Sequence, residues 1–432
     1  MIQIIDVREN SQLTSPVVPR AQLDVESALN QINPVLTDVE KNGDEAVLRW
    51  NEKFDGIKPK SLRVPQEVID KAFSEMSPDV LEALKESIER TTKVHKAQLK
   101  SENKTEVVDN GFVTQKYIPV SRVGLYVPGG QAVYPSSVVM NVVPAKVAGV
   151  KSIAVSSPSQ KENDGWPNKT ILAACKLLEI DEVYSAGGAQ AIAMFAYGTK
   201  SCRKVNLITG PGNVYVTAAK RKVRSVVAID SEAGPTEIAI LADESGNPDW
   251  IAADLISQAE HDVIASSILV TNSIELAQQV EKSLEKQIPQ TKHSDRIIQA
   301  IRGKQSAIVI VKDIEQGIDV INDIAAEHLE IHTNNLSQVI SKIENAGAIF
   351  VGPNTPVSLG DYLAGSNHVL PTAGCACHSS GLNVQTFLKS VQVIEYSKEA
   401  LRDAADQLRV LAHAEDLPAH AQAVDIRFEN NN

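Results

Sequence analysis

Apolar positions along this chain change period from one stretch to the next, and the changes mark out its elements. From Pro65 to Lys100, Val68, Ala72, Phe73, Leu81 and Leu84 recur at helical spacing among charged residues, with a break near Ser77-Pro78. Beyond Gly111 the pattern shifts. SIAVSS (Ser152–Ser157), EVYSAGG (Glu182–Gly188) and VNLITGPGN (Val205–Asn213) are short, β-branched and end in turn residues, and the segments between them, such as ILAACKLL from Ile171, have helical composition. A second series follows: TEIAILAD (Thr236–Asp243), SSILVT (Ser266–Thr271), SAIVIV (Ser306–Val311) and AGAIFVG (Ala346–Gly352). Ile274–Gln287 and Ile318–His328 read as helices between them. Such alternation predicts parallel sheets covered by helices, an α/β fold of two lobes with a border near Ala233-Gly234-Pro235. The last fifty residues read as helical and Ala-rich, too poor in apolar positions to form a domain and suited to an arm that packs elsewhere.

Bulk composition narrows the class. At 432 residues the chain is long enough for at least two cores, and 43% hydrophobic with 22% charged residues is ordinary for a folded soluble protein. The formal charge of -12, from 42 basic and 54 acidic residues, argues against a nucleic-acid or anionic-membrane partner. No apolar run approaches membrane-spanning length, and MIQIIDVRENSQL does not read as a secretory signal. Four cysteines (Cys175, Cys202, Cys375, Cys377) make no disulfide framework, so a cytoplasmic location is expected.

Candidate chemistry gathers where neither period holds. GDYLAGSNHVLPTAG, Gly360 to Gly374, sets Asp361, Tyr362, Asn367 and His368 among glycines and a proline, and reads as a loop that positions side chains. Three glycine clusters follow strand-like runs: YVPGG (Tyr126–Gly130), GGAQ (Gly187–Gln190) and GPGN (Gly210–Asn213). Any one of them is a plain turn; three in one lobe point to a phosphate-bearing or dinucleotide ligand at the carboxyl ends of strands. SQAEH, Ser257 to His261, continues an apolar helix, which would put Gln258 and His261 on one face as a pair able to hold a metal. Asp361, His368, His413 and His420 form the pool for its other ligands, and spacing leaves open which of them converge. AAEHLEIH supplies Glu327 and His328 as an acid–base candidate at a helix end, although an isolated pair of this kind is more often a solvated terminus. CACH, Cys375 to His378, lacks the spacing of a metal knuckle and is read as structural.

GLYVPGG, GGAQAIA, GPGN, AGPTE, SQAEH, EHLEI, GDYLAGSNHVLPT and AEDLPAH occur here in the order and spacing of the histidinol dehydrogenase family, which the chain resembles from about Gly43 to His420. The resemblance implies two α/β lobes with mainly parallel, Rossmann-like sheets and a C-terminal arm exchanged in a homodimer. Its domains would be 1–125 and 235–380 for the first lobe, 126–234 for a nucleotide-binding lobe, and 381–432 for the dimerisation arm. It implies oxidation of L-histidinol to L-histidine through the aldehyde, with two NAD and one zinc ion per site, as the final step of histidine biosynthesis. By motif match the zinc ligands would be Gln258, His261, Asp361 and His420, the last from the other subunit. Substrate would meet Thr236, Gln258, His261, His328, Asp361, His368, Glu415 and His420. Tyr126, Gln190 and Asn213 would hold the nucleotide.

In that scheme zinc orients the substrate, His328 accepts the alcohol proton and Glu327 activates water for the aldehyde step. Two features depart from the family pattern: Thr236 stands where Ser is frequent, keeping the hydroxyl and adding a methyl, and CACH has no assigned role. Two rival readings exist. One is a paralogue of the same architecture acting on another small alcohol such as a sulfonated diol; the other is a zinc hydrolase using Glu327, with the glycine loops as plain turns.

Overall fold

The computed structural model describes residues 2–9, 16–21, 24–129 and 133–428, so Gly130 of the YVPGG cluster, and Met1 and 10–13 of the N-terminal segment, lie outside the described residues. In chain order its strands are β1 (Gln3–Asp6), β2 (Asn103–Val108), β3 (Gly111–Pro119), β4 (Arg122–Tyr126), β5 (Ser152–Ser157), β6 (Val183–Ser185) and β7 (Leu207–Thr209). They continue as β8 (Ala228–Ile229), β9 (Glu237–Ala242), β10 (Ser266–Thr271), β11 (Ala307–Ile310), β12 (His328–His332), β13 (Ala348–Val351) and β14 (Leu388–Tyr396). A six-stranded sheet in the order β1-β11-β10-β9-β12-β13 and a five-stranded sheet in the order β6-β5-β4-β7-β8 are both parallel throughout. Both belong to one compact unit, Met1–Gln98 with Ser121–Phe387; a second unit is Leu99–Val120 with Leu388–Asn432. The expected α/β class with mainly parallel sheets is thus observed.

The six-stranded sheet is buried on both faces, and this explains its near-continuous apolar strands. Ile238, Ile240 and Ala242 of β9 enter one core, with Leu269, Ile308 and the helices Pro248–Ala259, Ile274–Gln287 and Ser294–Arg302. Ala239 and Leu241 enter the other, with Ile268, Val309 and the helix Ile314–Ile324. Each fully buried Ile contributes roughly 2–3 kcal/mol. The helices begin where the sequence offers caps: Asn247 accepts from Asp249 and Trp250 N–H ahead of Pro248, Ser273 from Leu276, and Asp313 from Gln316.

In the five-stranded sheet, β4 lies at the centre and carries Tyr126 at its carboxyl end, so the strand spans the expected border between residues 125 and 126. One face packs on the helices Gly188–Tyr197 and Val214–Val223 and on the N-terminal helix Val25–Phe54, which bends at Gly43 (φ 55°). The helix Pro135–Val147 that follows β4 is buried at every position from Ser136 to Ala145, so it has no polar face to give it a period.

Four local expectations are corrected. The helix predicted over Ile318–His328 ends at Ile324; Ala325 is left-handed (φ 46°), and His328 opens β12. The helix through SQAEH ends at Ala259, leaving His261 beyond its last turn, with its N–H on the Gln258 carbonyl. The loop from Gly360 starts inside a helix, Val357–Tyr362, because a glycine there admits the Phe350 ring, whose carbons stand 2.6 Å from where a Cβ would lie. Finally, the tail is not wholly helical: Leu388–Tyr396 alternates β-branched with polar residues and pairs antiparallel with β3. The second unit comprises that antiparallel sheet, β14-β3-β2, and the helices Lys398–Ala414 and Pro418–Asp425, tied by Arg409 Nε to Asp425 Oδ1 at 2.6 Å. Among the described residues no helix is long and apolar enough to cross a membrane.

Candidate active site

Parallel crossovers send each helix back toward the amino ends of the strands, and there the polar residues of the first unit meet. Thr236 precedes β9, Glu327 precedes β12 and His328 is its first residue, while Gln258 lies in the last turn of the helix between β9 and β10. The carbonyl end of a helix carries partial negative charge, which suits a cation there. The glycine loops lie instead at the carboxyl edge of the five-stranded sheet. The two edges face each other, because Ser137, in the first turn after β4, is 3.1 Å from His368 Nε2.

A hydrogen-bonded chain links the three segments. The buried Gln258 amide donates its Nε2 to Thr236 Oγ1; Thr236 in turn donates to Glu327 Oε2 at 2.5 Å, and Glu237 N–H donates to the same oxygen at 3.1 Å. His328 Nδ1 lies 3.1 Å from the Glu237 carbonyl and 3.6 Å from Glu327 Oε2. Two acceptors there assign the proton to Nδ1 and leave Nε2 with a lone pair. That Nε2 is buried, has no hydrogen-bond partner among the described residues, and stands 4.0 Å from Asp361 Oδ1. Gln258 Oε1 is likewise buried without a partner. Buried acceptors left without a partner, one of them beside a carboxylate, are the kind of exception that a bound group explains.

His368 is a brace for this cluster. Its Nδ1 donates to the Asp361 carbonyl at 3.0 Å, and its Nε2 accepts from the Ser137 hydroxyl. Burial lowers its pKa, against the neighbouring Asp361 carboxylate, which raises it. Asn367 anchors the same loop through its Nδ2 on the Met140 carbonyl at 2.7 Å. Burial raises the Glu327 carboxyl, against His328, Thr236 and the Glu237 N–H, which lower it. The Glu237 side chain, on the other face of β9, is pushed up to about 7 by burial, with Arg20 opposing and Glu327 reinforcing.

The expected nucleotide residues end or follow three parallel strands. Tyr126 is buried, which pushes its pKa to about 12, and its hydroxyl accepts Gly188 N–H at 3.1 Å. Gln190 donates Nε2 to Asn51 at 3.1 Å and keeps a buried Oε1 without a partner among the described residues. Asn213 is exposed and caps the helix Val214–Val223 through the N–H groups of Tyr215 and Val216. Gly210 (φ 114°) could not be another residue, since a Cβ would stand 2.0 Å from the Tyr126 carbonyl oxygen.

His420 and Glu415 belong to the second unit, both exposed, with Glu415 ending one helix and His420 in the first turn of the next. Cys375 to Cys377 form one 3-10 turn, and all four cysteines are free thiols. Residue patterns overlooked Ser137, Glu237 and a group of half-buried Asp254 with buried Glu330 and His332, whose ligand atoms lie within 4.8 Å of one another. Glu330 and His332 were legible in one respect: with His328 they occupy alternate positions, whereas Leu329 and Ile331 fill the core on the opposite face of β12.

Comparison with known proteins shows the family to which the chain belongs. The sequence profile of the family described as histidinol dehydrogenase matches residues 18–428. The chain is 55% identical over 428 residues to histidinol dehydrogenase of Thermobifida fusca, covering 99% of this chain and 98% of that protein. It is 54% identical over 434 residues to the enzyme of the same name from Streptomyces avermitilis, covering 99% and 98%. The crystal structure of histidinol dehydrogenase from Elizabethkingia anophelis superposes with a TM-score of 0.94 at 33% identity, covering 99% of this chain and 98% of that one.

Proposed function

Since the chain belongs to the histidinol dehydrogenase family, we propose that the cleft beneath β9 and β12 oxidises L-histidinol to L-histidine through L-histidinal, with two NAD per turnover and one zinc ion per site. Its function is that of the family, an oxidoreductase of histidine biosynthesis. The paralogue acting on a sulfonated diol is not favoured, since relatives named for histidinol are more than half identical over nearly the whole chain. The hydrolase reading loses its ground for the same reason.

The observation that carries the reading is the buried His328 Nε2, unpartnered among the described residues and 4.0 Å from Asp361 Oδ1, together with the equally unpartnered Gln258 Oε1. Gln258 Oε1, His261 and Asp361 offer the mixed oxygen and nitrogen donors that zinc accepts, and His420 of the partner subunit would complete a four-ligand set. When bound there, zinc supplies a fixed positive centre that orients the substrate. Exposed Val410, Leu411, Leu417 and Ile426 on the helical pair of the second unit support its reading as a dimerisation arm. Tyr126, Gln190 and Asn213 are proposed to hold NAD, which supplies the hydride acceptor. Free thiols suit a cytoplasmic location.

The residues of this chain then divide the work. His328, with its Nδ1 proton held on the Glu237 carbonyl, takes the substrate hydroxyl proton at Nε2. Glu327, fixed by Thr236 and the Glu237 N–H, takes a proton from water in the aldehyde step. Gln258 and His368 would line or brace the substrate pocket, and Glu415 remains an expected substrate contact. Two NADH per limiting histidinol, lost on chelation and recovered with zinc, is the expected result; no NADH from a protein that still binds both zinc and NAD would overturn the assignment.

A further inference from the structure

Glu330 is fully buried, and the chemistry above gives it no task. It lies two residues along β12 from His328, on the same face of the strand. Its Oε1 accepts the N–H of Val357 at 2.9 Å. Val357 is the first residue of the six-residue helix that bears Asp361, and the residue before it, Pro356, has no side chain that can cap it. Glu330 Oε2 meets His332 Nε2 at 3.1 Å. Asp254, one turn before Gln258 on its helix, hydrogen-bonds to Glu330.

We propose that Glu330 is a positioning residue, the joint that sets His328, Gln258 and Asp361 relative to one another. This rests on the reading of Gln258 and Asp361 as zinc ligands. A helix of six residues is too short to hold its own direction, so its first N–H groups need an outside acceptor. Glu330 provides one from the strand that carries His328. Through Asp254 it also grips the helix that carries Gln258, so one carboxylate touches all three supports. Burial and the nearby Glu330 push Asp254 up to about 8, which favours a proton shared between the two carboxyls, and His332 Nε2 lies 3.1 Å from Glu330 Oε2.

Three substitutions test the joint, with zinc itself as probe, titrated against a chromophoric chelator. Glu330→Met keeps the shape and removes the acceptor. Val357→Pro removes the N–H and exchanges one small buried apolar side chain for another, at a first helical position that favours proline, after a Pro356 whose ψ of 154° already suits a following proline. Each is expected to weaken zinc binding and to lower kcat in saturating zinc by about tenfold or more, with the KM for NAD unchanged. Glu330→Gln, which keeps an oxygen for Val357, is expected to stay within about threefold, and the Met/Pro double variant to be no worse than the poorer single one. Wild-type zinc affinity and kcat in Glu330→Met would overturn the proposal, as would equal losses of zinc and NAD binding. Absence of zinc-dependent NADH formation in the wild-type protein would instead overturn the underlying reading of the site.

Discussion

Gln258 donates its amide nitrogen to Thr236 and keeps Oε1 buried without a partner among the described residues, so the Thr236 hydroxyl decides which way the amide points. The same hydroxyl donates to Glu327, and a single side chain therefore orients both an expected metal ligand and an expected base.

Thr236→Val is consequently expected to reduce zinc retention and to lower kcat/KM on the order of tenfold to a hundredfold, the usual cost of losing a group that orients a ligand. Thr236→Ser should remain close to wild type. Zinc content after dialysis and steady-state kinetics would check both, and a Val variant with full activity would remove Thr236 from the relay.

Glu327→Gln is expected to slow oxidation of L-histidinal more than oxidation of L-histidinol, since only the aldehyde step needs an activated water. General-base loss commonly costs roughly 10²–10⁴-fold. Separate assays with alcohol and aldehyde decide the point; equal losses would refute the division of labour with His328.

His420→Asn should weaken zinc binding. Mixed with Asp361→Asn subunits, it should form heterodimers in which one of two sites regains both ligands, giving about half the activity of a wild-type dimer if sites are shared. Dead heterodimers would show that each subunit builds its own site.

Stability should fall as pH rises from about 4.5 to about 7, with Glu237 contributing. Its folded pKa of about 7 lies above the ordinary 4.5, so the folded state holds a proton that the unfolded state has already lost. The penalty is absent below pH 4.5, grows between about 4.5 and 7, and is complete above; it is on the order of 1–3 kcal/mol. Glu237→Gln should flatten the dependence of melting temperature on pH between 5 and 8. An unchanged slope would mean that Arg20, 3.9 Å away, already holds the carboxylate ionised.

Much of this molecule is legible from local pattern. The apolar runs of β5, β9, β10 and β11, the helix Ile274–Gln287 and the break at Ser77-Pro78 follow from period and caps, which act over a few residues. The glycine-flanked motifs likewise fall after β4, β6 and β7, as their strand-like runs predicted. β12 escaped because Glu330 and His332 interrupt its apolar run, and a polar residue in a buried strand is tolerable only beside partners that the sequence places elsewhere. Tertiary structure alone joined Thr236 to Glu327, 91 residues apart, because β9 and β12 are parallel neighbours whose amino ends must meet. It alone also decided that Gln258 Oε1 and His328 Nε2 have no partner among the described residues. A side chain's donors and acceptors are written in its sequence, but whether they are satisfied depends on every chain segment that folding packs around them.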